Sequence, residues 1–130
     1  MILIDTNVLG ELVRPRPQAR VVTWFGGLDD LALSAITVEE VFYGLAARPS
    51  PRIERWLASF IDRRCRVLNV TAAIARHAGV LRGQLAARGK TRSQADMLIA
   101  ATAAVHGISL GTRNVRHFED CGVLLVNPFT

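Results

Sequence analysis

The sequence predicts an α/β protein, a mostly parallel sheet of four to five strands sandwiched between helices. Three observations carry this expectation. Short apolar runs bounded by turn residues recur along the chain, helical patterns lie between them, and half of the 130 residues are apolar while only 6% are aromatic. Strand and helix in alternation are the signature of βαβ units. A core built mainly from Ala, Leu, Val and Ile suits helices packed on a parallel sheet.

The first strand is expected over residues 1 to 4, Met1-Ile2-Leu3-Ile4, closed by Asp5, with a helix beginning near Val8. From Pro17 to Leu28, the residues Val21, Val22, Trp24, Phe25 and Leu28 recur at helical spacing. Residues 31 to 36 read as the second strand. A helix follows from Thr37 to Ala47 with Val38, Val41, Phe42 and Leu45 as its apolar stripe, and another from Ile53 to Ile61. A third strand is expected at residues 67 to 70, helices from Ala72 to Ala87 and from Gln94 to His106, a fourth strand at residues 108 to 110 and a fifth at 123 to 126. Pro15, Pro17, Pro49 and Pro51 punctuate the connections, and Gly89 and Gly107 end helices. No repeat or linker interrupts this pattern, so one domain spanning residues 1 to 130 is expected.

The net charge of +5 suggests a polyanionic partner: nucleic acid first, an acidic protein next, a solvated basic surface otherwise. No apolar run approaches the roughly 20 residues of a membrane span. The N-terminal run lacks a basic leader and ends in Asp5, so it reads as a strand rather than a signal peptide, and a cytoplasmic protein is expected. Cys65 and Cys121 have neither a CxxC partner nor a His at metal spacing, which makes them free thiols in a reducing compartment.

Three carboxylates stand where such a fold would aim them at one point. Asp5 falls at the carboxyl end of the first strand, where sites form in open parallel sheets; it is equally placed to cap the helix that follows. Glu40 completes a capping-box spacing with Thr37, yet it points away from the apolar stripe, with Gly44 one turn below leaving room beside it. Asp96 has the same spacing from Ser93 and opens a helix in which only Thr102 is otherwise polar up to Val105. A carboxylate in such surroundings needs a cation, with Lys90 and Arg92 as local candidates and a divalent metal shared with Asp5 as the distant one. Asn114 follows the fourth strand and offers a neutral oxygen or a turn. His77 and His106 read as packing or capping residues, and His117 lies near Asn114, where it could touch substrate. Trp24, Trp56 and Phe60 read as core or subunit interface.

The ordered set Met1 to Leu9, Leu33 to Thr37 leading into Glu40 and Tyr43-Gly44, Asp96 with Ile99 to Ala103, Thr112-Arg113-Asn114-Val115, Phe118 and Val126 to Phe129 resembles PIN-domain ribonucleases. The likeness spans essentially the whole chain and is strongest to the VapC toxins of type II toxin–antitoxin systems, in the FitB-like branch. It implies a PIN-like α/β/α sandwich and an acidic pocket binding Mg²⁺ or Mn²⁺ that hydrolyses RNA. Asp5, Glu40, Asp96 and Asn114 match the family's catalytic positions, with Asp5 and Asp96 as metal ligands and Thr6 and Thr112 in support. Asn114 departs from an often acidic position and lowers the pocket's charge by one. Arg88, Lys90 and Arg92 are the expected RNA contacts. The resemblance further implies a homodimer and inhibition by a VapB-like antitoxin. The alternative is a catalytically weak PIN protein that binds RNA or a partner.

Two other classes fit poorly. A phosphoacceptor receiver domain needs paired acidic residues after the first strand and an Asp after the third, where this chain has Thr71-Ala72-Ala73. A phosphatase with an aspartyl nucleophile needs a second Asp where Asn7 stands.

Overall fold

The computed structural model describes residues 1–130 and contains five strands, six α-helices and one short 3-10 helix. In chain order these are β1 (Ile2–Ile4), α1 (Thr6–Leu12), α2 (Ala19–Gly26), β2 (Leu31–Ser34), α3 (Ala35–Ala47), α4 (Pro51–Arg64), β3 (Cys65–Leu68), α5 (Ala72–Ala87), α6 (Gln94–His106), β4 (Ser109–Gly111), the 3-10 helix Val115–Phe118 and β5 (Leu125–Val126). All strand pairings are parallel and the order is β3-β2-β1-β4-β5. β1 therefore sits at the centre. The chain runs outward through β2 and β3 on one side of it and β4 and β5 on the other, creating a topological switch point beside β1.

Period-2 alternation distributes the strand side chains between two cores. Leu3, Ala32 and Leu110 pack with α5 and α6 through Ile74, Leu85, Met97 and Ile99, and with Phe118 of the 3-10 helix. Ile2, Ile4, Leu31 and Leu33 face the other way, onto Val8, Leu9, Val21, Phe25 and Leu57. α6 contributes Met97, Ile99, Ala100, Ala101 and Ala103 to the first core, all buried, and the three alanines leave room for the helix to sit close to its neighbours. Gly107 ends that helix in the left-handed conformation, φ 65°, which an L side chain rarely adopts. At Gly111 the requirement is proximity: a Cβ there would lie 2.9 Å from the Trp24 ring.

Several boundaries differ from the sequence expectation. The second strand ends at Ser34 rather than residue 36, because the Ser34 hydroxyl accepts from Ile36 N–H and starts α3 there. Thr37 is consequently not a cap, and Glu40 lies in the second turn instead of the first. α1 starts at Thr6 rather than near Val8, capped by Asp5. α2 occupies residues 19–26 within the longer pattern from Pro17 to Leu28, and the fifth strand is only Leu125–Val126. α4 is longer than expected, with Pro51 at its first turn and Ser50 as cap. β3 accordingly falls at Cys65–Leu68 instead of residues 67 to 70, an edge strand with Arg66 and Val67 exposed.

The apolar stripe of α3 is only partly used. Val41 and Leu45 pack on the second core, whereas Phe42 and Tyr43 are exposed, Tyr43 by 72%. Trp24 is partly buried and Phe60 packs on the same core; Trp56 stacks on Phe60 at 4.9 Å while staying 39% exposed. Glu11, 3% exposed, accepts from Gln18 N–H and pairs with Arg14 at 3.1 Å, and the Gln18 bond above all holds its carboxyl below the usual range.

Candidate active site

The carboxyl ends of the three adjacent strands β2, β1 and β4 deliver Ser34-α3, Asp5 and Thr112-Asn114 to one edge of the sheet. Asp5 is its centre. It is only 5% exposed, yet both of its carboxylate oxygens are engaged. Oδ1 accepts from Thr6 N–H at 2.8 Å, while Oδ2 accepts from the Thr112 hydroxyl at 2.8 Å and from Asn7 Nδ2 at 3.0 Å. The cap reading of Asp5 thus holds alongside any chemical role. A carboxylate offers about four lone-pair sites, so three donors leave one open.

Every partner of Asp5 is neutral. Burial pushes its pKa above the ordinary 3.8, the Thr112 and Thr6 bonds oppose that, and the charges of Asp96 and then Glu40 raise it further. All three carboxylates therefore belong to one electrostatic neighbourhood. They do not form a closed cage: no group of three or more His, Cys, Asp or Glu side chains is drawn together tightly enough to chelate an ion by itself.

Glu40 reaches the centre through Thr6, whose hydroxyl donates to Glu40 Oε1 at 2.7 Å and lies 3.2 Å from the buried Thr37 hydroxyl. Opposite it, the loop after β4 is clamped to α1. Asn7 Oδ1 accepts from Arg113 N–H at 3.0 Å, and the Thr112 hydroxyl accepts from Asn114 N–H at 3.0 Å. Asn114 enters this network through its backbone; its side chain is exposed and caps nothing.

Asp96 N–H donates to the Ser93 hydroxyl at 3.1 Å, half of the expected capping box. Its carboxylate, one quarter exposed, instead faces His117 Nδ1 at 3.2 Å. This corrects the choice of local cation. Lys90 pairs with Asp120 at 2.5 Å, and Arg88 and Arg92 lie near that same carboxylate, which the Lys90 hydrogen bond above all depresses. Arg92 Nε is buried without a hydrogen-bond partner.

Sequence reasoning named Thr37 only as a cap and Asn7 only as a missing Asp, gave neither a role in the site, and left His117 without a partner. Thr37 had a usable signal, being a polar residue between Ile36 and Val38 one turn before Glu40, and Asn7 had only its place two residues after Asp5. The space foreseen at Gly44 exists, since a Cβ there would meet nothing within 4 Å. It opens into a mostly apolar groove of about 250 Å³ between α1, α3 and α4, lined by Leu9, Val13, Val41, Leu45 and Leu57 with Glu40 and Arg48. The largest depression, about 640 Å³, lies between α5 and residues 120–122 and includes none of the three carboxylates.

Fold and edge together define a parallel α/β protein whose switch point carries a buried, polar-clamped carboxylate in the field of two others. Comparison with known proteins makes the assignment specific. The PIN domain family profile matches residues 2–122, and the chain belongs to that family. It is 35% identical to the VapC ribonuclease Y4jK of Sinorhizobium fredii, over 99% of this chain and 98% of that protein. The crystal structure of FitAcB from Neisseria gonorrhoeae superimposes with a TM-score of 0.87 at 34% identity, covering 99% of both chains. A toxin–antitoxin complex from Klebsiella pneumoniae aligns at TM-score 0.76 and 26% identity over 98% of both chains.

Proposed function

We propose that the chain is a divalent-metal-dependent endoribonuclease toxin of a VapC-like toxin–antitoxin pair, acting in the cytoplasm as a homodimer. The observation that carries the reading is the electrostatic state of Asp5. It is buried, has no cationic partner, and feels two further carboxylates. Such a cluster repels a phosphodiester unless a cation intervenes. The donor set is all hard oxygen, which suits Mg²⁺ or Mn²⁺. Because the carboxylates form no closed cage, they suit an ion that keeps several waters and takes one or two carboxylates directly.

Asp5 and Asp96 would hold the ion, which supplies charge neutralisation and Lewis-acid polarisation of the scissile phosphate. The rest falls to side chains. Thr6 ties down Glu40 Oε1, leaving Oε2 to accept a hydrogen bond from the attacking water and orient it in line. Thr112 and Asn7 fix Asp5 Oδ2, so the carboxylate cannot rotate. Asn114, anchored by its N–H to the Thr112 hydroxyl, would offer a neutral side-chain oxygen at the rim of the site.

The family likeness to toxins found with antitoxins supports a VapB-like partner. A partner segment with apolar side chains fits the groove between α1, α3 and α4, and an Arg on it would meet Glu40. The second reading, a weak enzyme acting as an RNA- or partner-binding module, draws on the open spacing of the carboxylates and on the uncharged Asn114. One assay separates the two. Purified protein, free of antitoxin, is incubated with a panel of structured RNAs in Mg²⁺ or Mn²⁺, beside an EDTA control and the Asp5→Asn variant. Cleavage confined to wild type with metal supports the nuclease; intact RNA at every divalent concentration leaves only the binding module.

A further inference from the structure

We infer that Arg113 is a phosphate-binding residue that grips the RNA strand beside the scissile position, in place of the loop at residues 88 to 92. The inference rests on the ribonuclease reading above and adds a substrate contact to it.

Arg113 follows Thr112, whose hydroxyl donates to Asp5, and its own N–H is held by Asn7, whose amide donates to the same carboxylate oxygen. Its backbone is thus fixed within two hydrogen bonds of the site's centre. Its guanidinium is also held, lying 4.8 Å over the Phe129 ring. Stacking occupies a face of the guanidinium and leaves its planar fork of N–H donors free at the edge. No carboxylate lies within ion-pair distance of it. Glu11, the acidic group whose carboxyl feels its charge, is already served by Arg14 and the Gln18 N–H.

An exposed, unpaired and pre-oriented Arg is what phosphate recognition requires, since little side-chain entropy remains to be lost on binding. The loop at 88 to 92 lacks these properties. Lys90 would have to give up Asp120, and Arg88 and Arg92 lie in the field of that same carboxylate.

The test is fluorescence anisotropy with a labelled single-stranded oligouridylate as NaCl is raised, on an Asp5→Asn, Asp96→Asn background in EDTA so that the acidic edge is neutralised without metal and the RNA stays intact. It is paired with steady-state cleavage of the same RNA in Mn²⁺ by chains that keep both carboxylates. Each phosphate contact in a single strand contributes about 0.7 to the slope of log affinity on log salt. Arg113→Gln is expected to lose about that much slope and to raise KM several-fold with kcat little changed. Arg113→Lys should recover the slope, and Phe129→Leu should weaken binding while leaving the slope intact, because the charge remains. Lys90→Gln should match wild type. A slope and KM unaltered in Arg113→Gln would overturn the inference while RNA cleavage by wild type keeps the ribonuclease reading. A wild-type chain that neither binds nor cuts RNA would discard both.

Discussion

His117 Nδ1 lies 3.2 Å from Asp96 Oδ2, joining the 3-10 helix after β4 to the first turn of α6. An imidazole N–H on one carboxylate oxygen fixes the rotamer and leaves the other oxygen for an ion. Partners of this kind are worth about 10- to 100-fold in metal affinity or activity where they have been removed. His117→Ala is expected to weaken Mn²⁺ binding about 10-fold in an EPR titration, with His117→Asn recovering part of the loss. Equal affinity in all three proteins would remove His117 from the site.

That pairing also marks where sequence reasoning stops. Asp5 was legible because a charge closes an apolar run at a strand end, and Asp96 because it opens an apolar helix. Their partners were not, because Asn7 meets Arg113 across 106 residues and no local pattern encodes such a contact. The second strand was overextended for a local reason. Leu31 to Ile36 is nearly all apolar and Thr37 to Glu40 mimics a cap, but Ser34 caps first. β3 was displaced because an edge strand exposing Arg66 and Val67 shows no apolar run. The alternation of strands and helices survived all of this, since it depends on periodicity and not on boundaries.

Asp5 gives a pH signature in metal-free protein. Its folded pKa is raised above 3.8, so as pH climbs past that value the unfolded chain ionises first and the folded state loses relative stability until Asp5 ionises too. The stability of wild type relative to Asp5→Asn should therefore increase on acidification through this window and stay flat at higher pH. Thermal melts in EDTA measure it; a difference that falls on acidification would contradict the burial of an unpaired carboxylate.

Thr112→Val keeps shape while removing the hydroxyl that serves both Asp5 and Asn114 N–H. A lost hydrogen bond to a buried group costs about 1–3 kcal/mol, readable as a shifted urea midpoint. Cleavage should fall with it, because Asp5 Oδ2 then keeps only Asn7. Wild-type activity in this variant would show that the clamp is dispensable.

Gly111→Ala tests the packing that holds β4 in place. The added Cβ would meet the Trp24 ring at 2.9 Å, and the ring is wedged against the second core. Overpacking of this kind costs about 1–3 kcal/mol. Full stability by chemical denaturation would mean that Trp24 moves aside freely.

Asn114→Asp restores an acidic residue at the edge of the site. The added charge should tighten Mn²⁺ binding, as calorimetry would report. Unchanged or weaker binding would place Asn114 outside the reach of the ion.

The most direct measurement is the melting temperature of the wild-type chain and of Asp5→Asn, Glu40→Gln and Asp96→Asn as Mn²⁺ is added. An ion bound only by the folded state stabilises it by about 2.7 kcal/mol at one hundred times its Kd. Wild type should show a saturable rise that each single neutralisation weakens or abolishes. Identical curves for all four proteins would contradict a shared metal site formed by these carboxylates.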